Sequence, residues 1–163
     1  MAKVPTFSEQ QIDYFMQEAL NEAKLAGSEG EVPIGAVIVF ENQIIARAHN
    51  HRERDQLATA HAELIAIERA NQALQSWRLE DTALFVTLEP CIMCAGAIIN
   101  ARVPAVYYGA QDAKGGATQS LYHLLEDQRL NHRAFVQSDV RAKESSLLLQ
   151  QFFAKIRAKR KQK

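Results

Sequence analysis

The sequence predicts an α/β protein, a three-layer α/β/α sandwich with a mixed five-stranded sheet at its centre. Short segments rich in β-branched residues alternate with longer segments whose apolar residues recur at helical spacing. Some neighbouring strands are joined through a helix, which favours parallel pairing, whereas one pair is joined by a short turn and must be antiparallel. The length of 163 residues fits one domain, residues 1–163.

The first predicted element is an amphipathic helix over about residues 8–26. Ser8 and Gln11 have the spacing of a capping box at its start. Apolar residues then recur at helical spacing until Gly27, where the pattern ends.

A β-hairpin is expected next, with strands at 32–40 and 44–48. The first strand is almost continuously apolar, which is typical of a strand buried on both faces. Pro33 and Gly35 disturb regular pairing near its start, which indicates either a bulge or a ligand that approaches the backbone closely.

The rest of the chain continues the alternation. Residues 49–57 are polar and predict a loop. The elements expected after it are a helix from Thr59 to about 74, a strand at 83–88, a helix from Pro90 to about 101, a strand at 103–109, a glycine-containing loop at 112–116, a short helix at 121–125, a strand at 134–137 and a terminal helix at 144–159.

Composition restricts the class of protein. Apolar residues make up 47% and charged residues 23%, as in ordinary globular proteins. No apolar run approaches the ~20 residues of a membrane span, and Glu9, Asp13 and Glu18 interrupt any signal-peptide pattern. Two cysteines cannot build a disulfide framework. We therefore expect a cytoplasmic location, a reducing environment and no membrane partner.

The chemistry-bearing residues fall in two short motifs, His61-Ala62-Glu63 and Pro90-Cys91-Ile92-Met93-Cys94. One histidine and two cysteines are ligands that zinc prefers, and three protein ligands leave a fourth tetrahedral position open. Either half alone would more often be structural or redox-related. The combined pattern H-x-E…P-C-x-x-C is the signature of zinc-dependent nucleobase deaminases. We predict zinc at His61, Cys91 and Cys94, with Glu63 as a catalytic acid–base group that is not a ligand.

The predicted helices place these residues near helix N-termini. Cys91 and Cys94 are three apart and share one face of a first turn, where the helix dipole favours thiolates. His61 and Glu63 are two apart and point about 200° away from each other on a regular helix. They can serve one site only if that site lies beyond the helix end.

The net charge of zero conceals a basic C-terminal tail. Residues 154–163 carry six basic side chains and no acidic one, which leaves 13 basic against 19 acidic residues, or −6, in the remainder. Two interpretations are open: the tail contacts a polyanion, or it is a solvated helix end that aids solubility.

Beyond the two motifs, the sequence resembles the family of bacterial tRNA-specific adenosine deaminases along nearly its whole length. The matching segments are 59–63, 84–98, Val32-Pro33-Ile34-Gly35-Ala36-Val37, Asn50, Trp77-Arg78-Leu79, Tyr108-Gly109-Ala110, Asp112-Ala113-Lys114, Asn131-His132 and Phe152-Phe153. Residues 52–58 and Gln111 depart from the pattern of some members.

This resemblance implies a cytidine-deaminase-like fold, a homodimer, one zinc ion per chain and deamination of the wobble adenosine in a tRNA anticodon stem-loop. It implies that Asn50 contacts the flipped adenosine and that Phe153 and the basic tail contact RNA. It also implies pocket-wall positions at Val32, Ala62, Leu88 and Glu89, and a loop beside the RNA at Asp112 and Lys114.

Two alternatives remain at this point. One is a deaminase of the same fold that acts on free cytidine, dCMP or guanine, for which a basic tail has no evident use. The other is a zinc-stabilised RNA-binding subunit without catalysis, for which Glu63 would be dispensable.

Overall fold

The structure, a computed structural model, describes residues 3–163. Its strands are β1 (Gly35–Phe40), β2 (Gln43–His49), β3 (Thr82–Leu88), β4 (Ala105–Ala110) and β5 (Phe135–Gln137). They form one sheet in the order β2-β1-β3-β4-β5. β1 pairs antiparallel with β2 and β3, whereas β3–β4 and β4–β5 are parallel. The mixed five-stranded sheet is therefore confirmed.

Helices cover both faces of this sheet. They are α1 (Glu9–Ser28), α2 (Arg52–Asp55), α3 (Ala62–Leu74), α4 (Ile92–Asn100) and α5 (Ala142–Lys161), and a 3₁₀ turn spans Leu124–Glu126. α1 and α5 pack against one face, where Phe85 and Tyr107 are stacked 4.6 Å apart. α3 and α4 pack against the other face over Leu84 and Val106. The three-layer α/β/α sandwich is confirmed. Within residues 3–163, no helix combines the length and apolar character needed to cross a membrane.

Strand β1 shows the burial expected of a doubly covered strand, with only Phe40 partly exposed. Neither the bulge nor the ligand predicted near Gly35 explains this glycine: it is packed against α1, and a Cβ there would collide with the carbonyl oxygen of Ala19. The register shift of the hairpin lies further along, between Ile38 and Val39.

Several predicted boundaries are wrong in an informative way. The segment 49–57 is not all loop, because α2 forms within it when the buried carboxylate of Glu31 accepts the backbone N–H groups of Glu53 and Arg54. α3 begins three residues later than predicted, at Ala62, and α4 two residues later, at Ile92. β4 begins at 105 rather than 103, and α5 extends to 161 through most of the basic tail.

The topology brings several segments to one edge of the sheet. β2, β3 and β4 all run in the same direction, so their C-terminal ends lie together at that edge. The segments that follow them start at Asn50, Glu89 and Gln111, and the motif residues lie in or next to these segments. Open α/β sheets place their binding sites at this edge.

Candidate active site

His61, Cys91 and Cys94 converge at the edge of the sheet where β2, β3 and β4 end. The Nδ1 atom of His61 lies 3.7 Å from the Cys91 sulfur and 3.5 Å from the Cys94 sulfur. A nitrogen and a sulfur bound to one tetrahedral zinc ion are about 3.5 Å apart, given the usual Zn–N and Zn–S bond lengths. The three side chains therefore have both the chemistry and the spacing of a zinc site with a fourth position left open.

Both motifs lie at helix N-termini, although not at the positions predicted. His61 is the N-cap residue of α3 and Cys91 is the N-cap residue of α4, and neither side chain caps its own helix by hydrogen bonding. An N-cap residue has extended backbone geometry, so its side chain can point beyond the helix end. His61 and Glu63 can therefore serve one site although residues two apart on a helix point in nearly opposite directions. His61 points beyond the helix end, and Glu63, in the first turn of α3, reaches the same cluster.

The cluster perturbs the acidity of its own members. The hydrogen bond with Cys94, assisted by His61 and opposed by burial, lowers the pKa of Cys91 to about 4. The same hydrogen bond, together with burial, raises the pKa of Cys94. The hydrogen bond to Cys91 raises the pKa of His61, although burial acts in the opposite direction. The protein thus favours at least one thiolate here, which is the form of cysteine that binds metal.

Glu63 lies beside the cluster and is buried, with only 4% of its surface exposed. Its Oε2 accepts a hydrogen bond from the Cys94 thiol over 3.2 Å. Burial raises the pKa of the Glu63 carboxyl, so it holds a proton more readily than a solvated glutamate. A carboxyl of this kind, within reach of the cluster and of a cavity, is suited to transfer protons.

A cavity of about 790 Å³ opens above the cluster. Beside His61 and Glu63, most of the residues with predicted substrate contacts line it: Val32, Asn50, Ala62, Leu88, Asp112, Lys114 and Phe153. Its wall also includes three basic side chains, Arg52, Lys114 and Arg157. The cavity is therefore of a size for a nucleoside and has positive charge available for phosphate groups.

Asn50 is fixed in the wall by two hydrogen bonds. Its Nδ2 donates to the carbonyl of Val32 over 3.4 Å, and its Oδ1 accepts the backbone N–H of Arg52 over 3.1 Å. The side chain therefore joins the approach to β1 with the start of α2 as well as facing the cavity.

Glu89 does not line this cavity, in contrast to the expected pocket-wall position. Its carboxylate is 1% exposed and turns toward the loop after β4, because that loop offers it several donors. It accepts backbone N–H groups of Asp112, Thr118, Gln119 and Ser120, and the hydroxyl of Ser120. Burial alone would raise the pKa of Glu89, but these hydrogen bonds outweigh it and lower the pKa. Glu89 holds the loop that carries Asp112 and Lys114.

Other lining residues were not singled out from the sequence: Ile34, Ala113, Leu149 and Gln150. The first two are neighbours of predicted positions. The last two lie on α5, where Leu149, Phe153 and Arg157 are four residues apart and share one face. Helical spacing from Phe153 was the signal that could have identified them.

The basic tail contributes unequally to this region. Arg157 lines the main cavity, and Arg157 and Arg160 line an adjoining groove of about 640 Å³ with Phe152 and Phe153. Among the described residues, the other basic side chains of 154–163 line neither cavity.

Comparison with known proteins agrees with this architecture. The MafB19-like deaminase family matches residues 9–157. The tRNA-specific adenosine deaminase of Bacillus subtilis (strain 168) is 51% identical over 151 residues, which are 93% of this chain and 94% of that protein. A solved structure from a study of A-to-I editing by tRNA:A34 deaminases at the wobble position of transfer RNA has a TM-score of 0.80 and 46% identity, covering 83% of this chain and 99% of that chain. A guanine deaminase structure from Bacillus subtilis has a TM-score of 0.60 and 38% identity, covering 64% of this chain and 66% of that chain.

The fold and the His-Cys-Cys cluster define the class of this protein, a hydrolytic deaminase of the zinc-dependent family. Similarity over nearly the whole chain also identifies the family within this class. The chain belongs to the family of tRNA-specific adenosine deaminases, as the resemblance of the segments around the two motifs predicted.

Proposed function

We propose that this protein hydrolyses adenosine to inosine at the wobble position of a tRNA anticodon loop, with one zinc ion per chain held by His61, Cys91 and Cys94. The observation that carries the proposal is the buried Glu63 carboxyl beside this cluster, at the inner end of a cavity with basic walls. Action on tRNA would place the protein in the cytoplasm.

Zinc held by His61, Cys91 and Cys94 would supply Lewis-acid chemistry, which lowers the pKa of a bound water toward neutrality. The proton transfers belong to Glu63. Its carboxylate takes one proton from the water that attacks C6 of adenine and passes it to the adjacent ring nitrogen. It then takes the second proton from the new C6 hydroxyl group and gives it to the amino group, which leaves as ammonia when the C6–N bond breaks. Water and the adenine C6–NH₂ group are consumed, and a C6 carbonyl and ammonia are formed.

The remaining residues bind and orient the substrate in this proposal. Val32, Ala62 and Leu88 supply apolar or backbone surface around the extruded base, and Asn50 supplies an amide that its own hydrogen bonds hold in place. Asp112 and Lys114 lie on the loop held by Glu89. Phe153, 43% exposed at the cavity, offers a ring on which a neighbouring base can stack.

We also propose a homodimer. Three large apolar side chains remain exposed close to the cluster, on α4 and on the loop that packs against Cys91: Ile92, Leu121 and Tyr122. A second copy of the chain that covers them would bring its own residues near the cavity.

Deamination of free guanine is the second candidate, because the solved guanine deaminase shares this fold at 38% identity. A free base has no phosphate, however, and gives no role to Arg52, Lys114 and Arg157 around the cavity.

One assay compares the candidates: inosine formation in an anticodon stem-loop, with free adenosine, cytidine and guanine in parallel. We expect turnover of the stem-loop alone. Turnover of guanine with an inert stem-loop would select the second candidate. No turnover of any substrate by zinc-loaded protein would favour a non-catalytic subunit.

A further inference from the structure

A second cluster of metal-binding side chain types lies outside the active site. One ligand atom from each of Glu29, His49 and His51 falls within 4.8 Å of the others. The Nε2 atom of His49 is 3.0 Å from Oε2 of Glu29, and the two imidazole rings are 4.7 Å apart and nearly perpendicular. Glu29 follows the end of α1, His49 ends β2 and His51 is the N-cap residue of α2, so the cluster depends on the folded chain.

The surroundings of His49 point to metal binding independently of this spacing. Its other ring nitrogen, Nδ1, is 2.8 Å from Oε2 of Glu22. Histidines that bind metals usually donate their second ring N–H to a carboxylate in this way, which fixes the ring and makes the ligating nitrogen more basic. In this arrangement Glu22 would orient the His49 ring through Nδ1, and Glu29 would share the metal that Nε2 binds.

We propose that Glu29, His49 and His51 form a second divalent-cation site, separate from the His61–Cys91–Cys94 cluster. Two imidazoles and one carboxylate suit Zn²⁺, Ni²⁺ or Cu²⁺ better than Ca²⁺ or Mg²⁺, which prefer oxygen ligands alone. The Glu29 side chain is 39% exposed, which gives a cation access from solvent.

One neighbouring group opposes a cation here. The guanidinium of Arg54 lies 2.8 Å from Nδ1 of His51 and also donates to Asp55 over 3.0 Å. Its positive charge weakens cation binding at the cluster. Removing this charge with Arg54→Gln should therefore tighten binding of the second ion, an effect that a metal-free ion cluster would not show.

A bound cation would connect the end of α1 to the two residues that flank Asn50 in the chain, His49 and His51. Since Asn50 lies between two of the ligands, occupancy would restrain the wall segment of the main cavity. The metal-free alternative is that His49 simply bridges the carboxylates of Glu22 and Glu29.

Equilibrium dialysis against micromolar free Zn²⁺, followed by metal analysis, distinguishes these possibilities. The full-length protein should bind one more ion per chain than His51→Asn or Glu29→Gln. Glu22→Gln should keep the ion but weaken its binding about 10–100-fold. His123→Asn, which changes an exposed histidine elsewhere, is the matched control and should bind as the unaltered protein does.

Thermal unfolding measured with and without added Zn²⁺ provides a second readout, because an ion that binds only the folded state raises Tm. In protein whose His61–Cys91–Cys94 cluster is already loaded with zinc, the increment should be present in the unaltered chain and in His123→Asn, and lost in His51→Asn. Equal metal content and equal increments in all these proteins would overturn the proposal and leave the His49 bridge as the function of the cluster.

Discussion

The Cys94 sulfur and the Glu63 carboxylate lie 3.2 Å apart, although 30 residues of sequence separate them. Each belongs to the first turn of a different helix, and both helices begin at the same edge of the sheet. The two halves of the motif are thus positioned by the helix starts rather than by a shared loop.

Removal of one proposed ligand should remove the metal. In Cys91→Ala, two of three ligands remain, and we expect zinc content to fall from about one ion per chain to well below half at the active site. Metal analysis after dialysis against a weak chelator measures this, with His123→Ala as the control. Full retention of zinc in Cys91→Ala would show that the ligand assignment is wrong.

The substrate base should react from a loop and not from a duplex. Reaching the cluster requires the base to leave its stack, which costs a few kcal/mol in paired RNA and much less in an anticodon loop. An isolated stem-loop should be deaminated, and the same strand annealed to its complement should not. Comparable inosine formation in both would contradict a buried catalytic site.

Salt dependence should show which tail residues contact phosphates. Since Arg157 and Arg160 line the cavities, neutralising both with glutamine should flatten the slope of log K against log salt by roughly 1.4–1.8, at about 0.7–0.9 for each contact. The matched pair Lys155→Gln and Lys161→Gln removes the same charge from positions that line neither cavity. If both pairs change the slope equally, the tail acts only through its total charge.

Glu89 should act on the loop it holds. In Glu89→Gln, the amide cannot accept all the backbone and hydroxyl donors that now converge on the carboxylate. We expect a loss of about 1.5–3 kcal/mol in the free energy of unfolding and a higher KM, with zinc content unchanged. Denaturant unfolding and stem-loop kinetics measure these effects, and the exposed Glu126→Gln is the control. Unchanged stability would mean that the loop does not depend on Glu89.

The sequence was sufficient to predict those parts of the site that depend on short motifs. The convergence of His61, Cys91 and Cys94 could be predicted because their spacing and their positions near helix starts are short-range patterns in the sequence. The alternation of strands and helices likewise predicted the layers of the fold. Asn50 and Phe153 came only from resemblance, since an isolated asparagine or phenylalanine has ordinary structural uses.

Long-range contacts determined what the sequence could not predict. α2 forms where the loop 49–57 was expected because Glu31, far from it in sequence, accepts its N-terminal N–H groups. Glu89 turns away from the cavity because a loop more than 20 residues later supplies donors. Leu149 and Gln150 reach the cavity through the packing of α5 on the sheet, for which no short motif exists.

The central claim is that Glu63 transfers the protons of the reaction, and Glu63→Gln tests it most directly. Glutamine has nearly the same shape but cannot take up and release a proton. Single-turnover inosine formation in zinc-loaded protein should fall by at least about 10²–10⁴-fold, with zinc content and stem-loop affinity nearly unchanged. A rate close to that of the unaltered protein, with zinc retained, would contradict the account and assign the proton transfers to another group.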